Sequence, residues 1–531
     1  MQYRADIDGL RAVAVLPVVL FHAGFPGFSG GYVGVDVFFV ISGYLITSLI
    51  REDIAAGRFT IGNFYRRRAR RILPALAAVI AFSLLAGYFL LLPGDFQDLG
   101  SSALATGLFL SNVYFLNSLD YCGPSAEFAI LLHTWSLAVE EQFYMFYPLL
   151  LVALLGWHGR PGALWCIAGL SMLSFLAAVV ALPRIPDSVF YLIFFRAWEL
   201  GAGACVALVR AGPPRRRRVR FWLGLAGLLA ILLPATLYDA RTPFPGLAAL
   251  PPVLGTAVLI WAGGNHKQSG IVTLLSRRAL VWVGLISYSL YLWHWPILAF
   301  LRNAYGGVFL PLTVKLAAVA AAFAVAWLSY RYIEAPFRHR DRPVRKAAAP
   351  MIATAFAVAT ISGGMVYLRG SEATLLDKAS ALDIIAAAED RNPRRAECFG
   401  KLPEAGLCQI GVAGKTGAPV DFLFWGDSHA AEMLPGIDLA ARNAGRRGLF
   451  VGQIACPPIP AVRRQPEDRE CSAMNRAVAQ FLADRDDLGL VILAARWPLS
   501  VEGETYGGEA ERTVVLEWAG DLTHALAAEG T

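Results

Sequence analysis

Residues 10–22 read Leu10-Arg-Ala-Val-Ala-Val-Leu-Pro-Val-Val-Leu-Phe-His22, an apolar helix that carries two ionisable side chains. At about 100° per residue, eleven positions return to within about 20° of the start, so Arg11 and His22 share one face. They are about 16 Å apart along the helix axis, or half of a bilayer's hydrocarbon core. Ionisable groups at such depth mark a transport path or a reaction site. The alternative is structural, with a snorkelling arginine and a hydrogen-bonded histidine in a helix bundle.

The composition of the chain extends this membrane character to most of its 531 residues. It is 56% apolar and 16% charged, whereas soluble domains carry about 25% charged residues. The net charge is +7, and short basic runs lie at 66–71, 215–218 and 338–346. Such runs are typical of cytoplasmic loops and not of a nucleic-acid surface.

Apolar runs that alternate with these basic loops predict a polytopic α-helical membrane protein of about ten helices plus one linking span, 350–368. This topology places the N-terminus in the cytoplasm and the C-terminal domain outside. The segment Leu99–Leu116 is expected to be re-entrant or interfacial, because a full crossing there would place the basic run 215–218 outside.

The chain changes character from Val420, where a soluble α/β pattern begins. Val420–Trp425 and Leu488–Ala495 are predicted strands, and Ala430–Asn443 and Glu509–Glu529 are predicted helices. The sequence therefore predicts four parts: a membrane domain 1–340, a basic loop with the linking helix 341–370, a linker 371–419 and a partial α/β domain 420–531.

Four cysteines near the C-terminus form two closely spaced pairs, Cys398 with Cys408 and Cys456 with Cys471. Paired cysteines in a polar domain indicate disulfides and an oxidising compartment. A metal centre needs a tighter cluster of Cys and His, so no metal site is predicted.

The predicted spans contain more ionisable residues than a passive anchor tolerates. Each one alone is explained by polar contacts between packed helices. Together they indicate a buried polar interior, and hence a catalytic cavity or a transport path. The set comprises Arg11, His22, Asp36, Glu140, Glu141, Arg196, Glu199 and His294.

Five motifs follow one another in a specific order. They are Arg11-x10-His22, Gly34-Val-Asp36-Val-Phe-Phe-Val-Ile-Ser-Gly43, Arg68-x-x-Arg71 before Ile-Leu-Pro74, His133-Thr-Trp-Ser-Leu-Ala-Val-Glu140-Glu141-Gln-Phe-Tyr144, and Arg196-x-x-Glu199. In this order they resemble the acyltransferase-3 family of membrane O-acyltransferases, over roughly residues 1–340.

The resemblance implies a reaction that crosses the membrane. The acyl donor would be cytoplasmic acetyl-CoA, used as a substrate and not bound tightly as a cofactor. The acceptor would be a hydroxyl of a surface glycan such as O-antigen, exopolysaccharide or peptidoglycan, at the bacterial inner membrane. The residues leave open which glycan, which hydroxyl and which acyl chain length are used.

The candidate site residues have chemistry that suits this reaction. His22 is expected to act as a general base or to relay the acyl group. Arg11 would bind an anionic group or steady an oxyanion. Arg68 and Arg71 suit CoA phosphates, although a simple positive-inside anchor also explains them. Further catalytic candidates are the buried charged residues Asp36, Glu140, Glu141, Arg196 and Glu199.

A second candidate site lies at Trp425-Gly-Asp-Ser428-His429. A serine between a strand and a helix lies beside backbone N–H groups that can form an oxyanion hole, although a helix N-cap is the plainer explanation. The motif resembles the SGNH domain fused to some members of the family. That domain needs a late Asp-x-x-His, and the candidate Asp521-Leu-Thr-His524 lies within a predicted amphipathic helix. We therefore expect a truncated domain or a fragment of a longer protein.

Two other functions compete with an acyltransferase. A transporter or sensor would use the polar bundle for a solute and the tail for glycan binding. A tethered esterase would need the Asp-x-x-His that the domain is expected to lack.

Overall fold

The computed structural model describes most of the chain. The described residues are 3–118, 126–210, 212–264, 270–306, 310–338, 356–357, 360–367, 392–414, 419–454, 456–458, 469–485 and 488–495. Contacts divide the chain into two compact units, Met1–Ala381 and Leu382–Thr531.

Several predicted features lie outside the described residues. They include the basic loop from residue 339 onward, most of the linking span, part of the linker, and the helix Glu509–Glu529 with Asp521 and His524.

The first unit is helical. Its helices are α1 Ala5–His22, α2 Gly34–Ala55, α3 Ile61–Leu90, α4 Pro93–Gly107, α5 Ser111–Ser118, α6 Thr134–Ala181, α7 Pro186–Tyr191, α8 Ile193–Leu208, α9 Arg217–Leu237, α10 Leu250–Gly263, α11 Gly270–Leu275, α12 Arg278–Tyr305, α13 Leu312–Ser329 and α14 Ala335–Arg338, with a π-helical turn Tyr330–Glu334 before α14.

Seven helices among the described residues are long and apolar enough to cross a membrane, judged by length and composition alone. The longest of them, α6, has 48 residues and breaks at Gly159, whose φ is 62° and ψ is −174°. The sequence predicts two successive spans on either side of this point, 136–155 and 163–182. The structure thus confirms a polytopic helical membrane protein, without fixing the number of crossings.

The segment Leu99–Leu116 falls in two short helices, α4 and α5. The longer one has 15 residues and rises about 22 Å, less than the roughly 30 Å of a hydrocarbon core. Neither helix is long enough to cross alone, and the re-entrant or interfacial placement of the segment stays a prediction.

Helices α2 and α8 pack in close contact because glycines lie between them. A Cβ atom at Gly43 would collide with the backbone of Leu200, and one at Gly203 with the backbone of Val40. Small residues allow such approach between membrane helices. The contact brings the buried carboxylate of α2 next to the buried arginine of α8.

The second unit contains a four-stranded sheet in the order β1-β3-β2-β4. The strands are β1 Cys408–Gly411, β2 Phe422–Gly426, β3 Arg447–Gly452 and β4 Leu490–Ala494, and the helices are α15 Arg395–Cys398, α16 Ser428–Asn443 and α17 Arg469–Ala483. Strand β2 pairs in parallel with β3 and β4, whereas β1 pairs antiparallel with β3. The α/β prediction is confirmed, although β2 begins two residues later than predicted and α16 begins two residues earlier.

Both predicted cysteine pairs are disulfides in the structure. Cys398 bonds to Cys408 and Cys456 bonds to Cys471. The first disulfide joins α15 to β1, and the second joins the segment after β3 to α17.

Candidate functional site

His22 lines a cavity of about 820 Å³, which we call the histidine cavity. Its volume lies within the range of ligand pockets. Its charged lining residues are Glu127, Arg196, Asp239, Arg302 and Lys315, and its aromatic ones are Phe21, Phe25, Tyr32, Trp135, Phe190, Tyr191, Phe244, Tyr291 and Trp295. An aromatic wall with a few charged groups suits a ligand that has both apolar faces and polar edges.

His22 is held at the end of α1 by groups from α12. Its Nδ1 lies 2.8 Å from Nε2 of His294, and the two rings are nearly parallel at 9°. The ring of Trp295 meets His22 edge-on at 4.6 Å between centroids. Arg302 Nη2 donates to the carbonyl oxygen of His22 at 2.5 Å, which satisfies a carbonyl that the helix end leaves open. His22 therefore has a fixed position.

A third histidine, His133, lies beside this pair. Its ring centroid is 5.9 Å from that of His294, and its side chain is buried. Neither of its ring nitrogens has a hydrogen-bond partner among the described residues.

Arg196 forms a buried cluster with two predicted site residues. Its Nη2 lies 3.2 Å from Oδ1 of Asp36, and its Nε lies 3.3 Å from Oε1 of Glu199. All three side chains are at most 1% exposed. The guanidinium also lies 5.6–5.8 Å from four aromatic rings, those of Phe39, Trp135, Phe190 and Phe244.

A second, narrower cavity of about 70 Å³ is lined by four predicted charged residues, Arg11, Arg68, Arg71 and Glu140, and we call it the arginine cavity. Its polar and charged lining residues are Arg11, Ser42, Arg68, Arg71, Ser136, Glu140, Tyr144, Ser287, Tyr288 and Tyr291.

Arg68 and Glu140 lie close together in the arginine cavity. The Arg68 guanidinium stacks over the Tyr144 ring at 4.1 Å, and its Nη2 is 3.9 Å from Oε1 of Glu140. Both Ser42 and Tyr144 donate a hydroxyl hydrogen bond to that oxygen. The neighbouring Glu141 has a buried Oε1 without a partner among the described residues. The cavity thus combines guanidinium groups with hydroxyl groups near two carboxylates.

Arg11 and His22 line different cavities, although one helix carries both. Arg11 instead lies 3.6 Å from Oδ1 of Asp8, one turn earlier. The single site suggested by the shared helix face is therefore two sites. An anion held by Arg11 would not contact His22, because about 16 Å of helix separates them.

Val35 and Tyr291 line both cavities and form a shared wall. The Tyr291 hydroxyl is 2.6 Å from Oγ of Ser136 and donates to the His133 carbonyl oxygen at 2.9 Å. These bonds hold the ring in place between the two cavities.

Sequence reasoning did not assign roles to Arg302, His133 or Tyr291. The sequence does contain a pattern that indicates Tyr291, because Tyr291 and His294 are three residues apart and therefore lie on one helix face. No local pattern pointed to Arg302, whose partner is 280 residues away.

In the second unit, Ser428 is the first residue of α16, and Asp427 alone separates it from the end of β2. Asp427 caps this helix, and its Oδ1 accepts from the His429 amide at 2.8 Å. His429 Nδ1 is 3.4 Å from the same oxygen, with a side chain 54% exposed. The carboxyl ends of parallel β2, β3 and β4 meet at this edge, where α/β folds place their sites. The strand-to-helix position of Ser428 is as predicted, and its catalytic role stays a prediction.

The first unit, Met1–Ala381, is the membrane unit of the protein, and it matches the family model of the acyltransferase domain over residues 4–331. The chain belongs to this acyltransferase family. A second model, the SGNH domain fused to such acyltransferase domains, matches residues 393–528, a range that includes Asp521 and His524. The resemblance drawn from the five motifs and from the Gly-Asp-Ser turn is confirmed at the level of these families.

Curated relatives of this acyltransferase carry related names. The chain is 33% identical over 349 residues to peptidoglycan O-acetyltransferase OatA of Listeria monocytogenes, covering 64% of this chain and 56% of the relative. It is 32% identical over 360 residues to "Putative peptidoglycan O-acetyltransferase YrhL" of Bacillus subtilis, covering 64% and 55%. The aligned chain spans a little over half the length of these relatives. No solved structure matches this chain.

Proposed function

We propose that the protein is an O-acyltransferase that moves an acetyl group from cytoplasmic acetyl-CoA to hydroxyls of a cell-surface glycan. Peptidoglycan is the first candidate acceptor, because the relatives are named for it. One observation carries the proposal: the arginine cavity and the histidine cavity share the wall formed by Val35 and Tyr291. Such an arrangement suits a donor and an acceptor that approach from opposite sides.

Charge and disulfides support the proposed orientation. The run of arginines at 66–71 lies in the first half of α3, and the positive-inside rule favours the cytoplasm for it. Helix α1 would then run outward and bring His22 toward the external side. The two disulfides of the second unit fit an oxidising, extracytoplasmic location, which for this proposal is the outer side of the bacterial inner membrane.

The arginine cavity is the proposed donor site. Arg68 and Arg71 suit the CoA phosphates, since guanidinium groups pair with phosphate oxygens in two-bond geometry. Arg11 lines the same cavity and keeps the anion-binding role, whereas its distance from His22 argues against an oxyanion role there. The thioester end of the donor would pass between Val35 and Tyr291 and reach the histidine cavity.

The histidine cavity is the proposed acceptor site. His22 takes the proton from the acceptor hydroxyl while that oxygen attacks the thioester carbonyl. A carbon–oxygen bond forms, the carbon–sulfur bond breaks, and the CoA sulfur leaves with the proton that His22 returns. Arg196 would orient the acceptor, with Asp36 and Glu199 holding its guanidinium in place.

Ser428 is proposed to act in a second, external step. Its hydroxyl oxygen attacks the acetyl carbonyl of the ester formed in the first step, and the first acceptor leaves with its hydroxyl restored. A glycan hydroxyl then attacks acetyl-Ser428 and releases the serine hydroxyl. The place of Ser428 at the strand-to-helix turn supports this role. If mass spectrometry of the protein after reaction with acetyl-CoA finds no acetyl-Ser428, the chemistry is confined to the membrane unit.

The decisive experiment replaces His22 with Ala in the full chain, reconstituted in liposomes with labelled acetyl-CoA and chitopentaose as a soluble glycan mimic. Loss of a general base typically costs about 10²–10⁴ in rate, so we expect acetyl transfer to fall by at least about 100-fold. His158→Ala is the matched control, because His158 is an exposed histidine at the break in α6. Unchanged acetyl transfer by the His22→Ala protein would contradict the proposal and favour a transporter or sensor.

A further inference from the structure

The bond between His22 and His294 continues beyond the pair. His294 Nδ1 lies 3.0 Å from the carbonyl oxygen of Leu290, one turn earlier in α12. His294 Nε2 lies 2.8 Å from His22 Nδ1. The three groups therefore form a chain that starts at a backbone carbonyl and ends at the histidine cavity.

The carbonyl at the start of this chain determines where each proton lies. A carbonyl oxygen only accepts, so His294 Nδ1 must carry the hydrogen of that bond. A neutral imidazole has one N–H, which leaves His294 Nε2 as an acceptor. His22 must then donate from Nδ1, and its Nε2 keeps an unprotonated lone pair.

We infer that His294 is a positioning residue that fixes the tautomer and ring orientation of His22, so that Nε2 of His22 is the base of the reaction. This inference rests on the proposed function. His22 Nε2 has no hydrogen-bond partner among the described residues, and His22 lines the histidine cavity. In other enzymes a hydrogen-bonding partner fixes the tautomer and the orientation of a catalytic imidazole in the same way. In this protein the orienting group is the neutral imidazole of His294, which is itself held by a hydrogen bond to the Leu290 carbonyl oxygen of the same helix.

The surroundings of His294 support a fixed orientation. Its side chain is 1% exposed, its ring is nearly parallel to that of His22, and the rings of Tyr291 and His133 lie 5.6 Å and 5.9 Å from it. A ring enclosed in this way cannot flip without displacing its neighbours.

The test compares His294→Gln with His294→Met in the full chain. The two replacements are similar in length and volume, but only Gln offers an oxygen that accepts from His22 Nδ1. The assay measures acetyl transfer from labelled acetyl-CoA to chitopentaose in liposomes. We expect kcat to fall about 100-fold for Met and to stay within about 10-fold of wild type for Gln. The KM values for acetyl-CoA and chitopentaose should change little in both variants. His158→Gln, at an exposed site, is the control.

A second arm shows whether His294 acts through His22. In a His22→Ala background, His294→Met should leave the residual rate unchanged, because the group that it positions is absent. A further loss in that background would overturn the inference. Equal kcat for the Gln and Met variants, or a loss confined to KM, would also overturn it.

These experiments distinguish a failure of the positioning role of His294 from a failure of the proposed function. If wild type transfers no acetyl group, or if His22→Ala is fully active, the proposed function itself fails. If His22→Ala is inactive and the Gln and Met variants are alike, the acyltransferase stands and only the positioning role of His294 fails. Equal amounts of folded protein on size-exclusion chromatography in detergent confirm that the variants fold.

Discussion

Replacing Arg196 with Met tests how the membrane unit tolerates its buried charges. The side chains of Arg196, Asp36 and Glu199 are 1%, 0% and 0% exposed. The single guanidinium lies between both carboxylates, so its removal leaves two acidic groups buried without a cation. We expect Arg196→Met to be far more damaging than the loss of either carboxylate.

The distances set the scale of the effect. At 3.2 Å and 3.3 Å and an effective dielectric constant of about 20, Coulomb's law gives about 5 kcal/mol per pair. Desolvation offsets much of this attraction, and deleting one partner of a buried pair typically costs about 3–5 kcal/mol. Asp36→Asn or Glu199→Gln keeps one ion pair, so each should cost only about 1–3 kcal/mol.

The assay is thermal unfolding of the purified protein in detergent, followed by intrinsic fluorescence. Arg196→Met should lower Tm by about 5 °C, more than either amide variant. The triple replacement Asp36→Leu, Arg196→Met, Glu199→Leu should recover most of the lost stability, because no buried charge remains. An Arg196→Met protein that is as stable as wild type, or a triple variant less stable than the single one, would refute this reasoning.

Two further predictions concern helix packing and the shared wall. Gly203→Val should reduce the yield of folded protein and destabilise it by at least about 3 kcal/mol, because the new side chain would collide with the backbone of α2. Gly169→Val is the control, because the space around its Cβ is open. Equal yields of the two variants would contradict the close contact between α2 and α8. Tyr291→Ala should raise acetyl-CoA hydrolysis without an acceptor several-fold, since water of one cavity would reach the other. The exposed Tyr305→Ala is its control, and an unchanged hydrolysis rate would mean that Tyr291 does not separate the cavities.

Features that depend on neighbouring residues were accessible from the sequence. Apolar length and basic loops identified the helices, including the break in α6 near Gly159, because these properties are local. The strand, turn and helix around Ser428 followed from the same local patterns. The five ordered motifs identified the family that the family model confirms. Helix periodicity also predicted that Arg11 and His22 share one face of α1.

Periodicity fixes angles within one helix, but the choice of neighbouring helices is made by packing of the whole unit. Only the tertiary structure therefore shows that Arg11 and His22 line two different cavities and that Tyr291 lies in the wall between these cavities. Packing also joined His22 to His294, which is 272 residues away in the sequence. The sequence by itself determined a membrane acyltransferase with a charged interior, whereas the contacts of α12 with α1 decided which atoms of that interior meet.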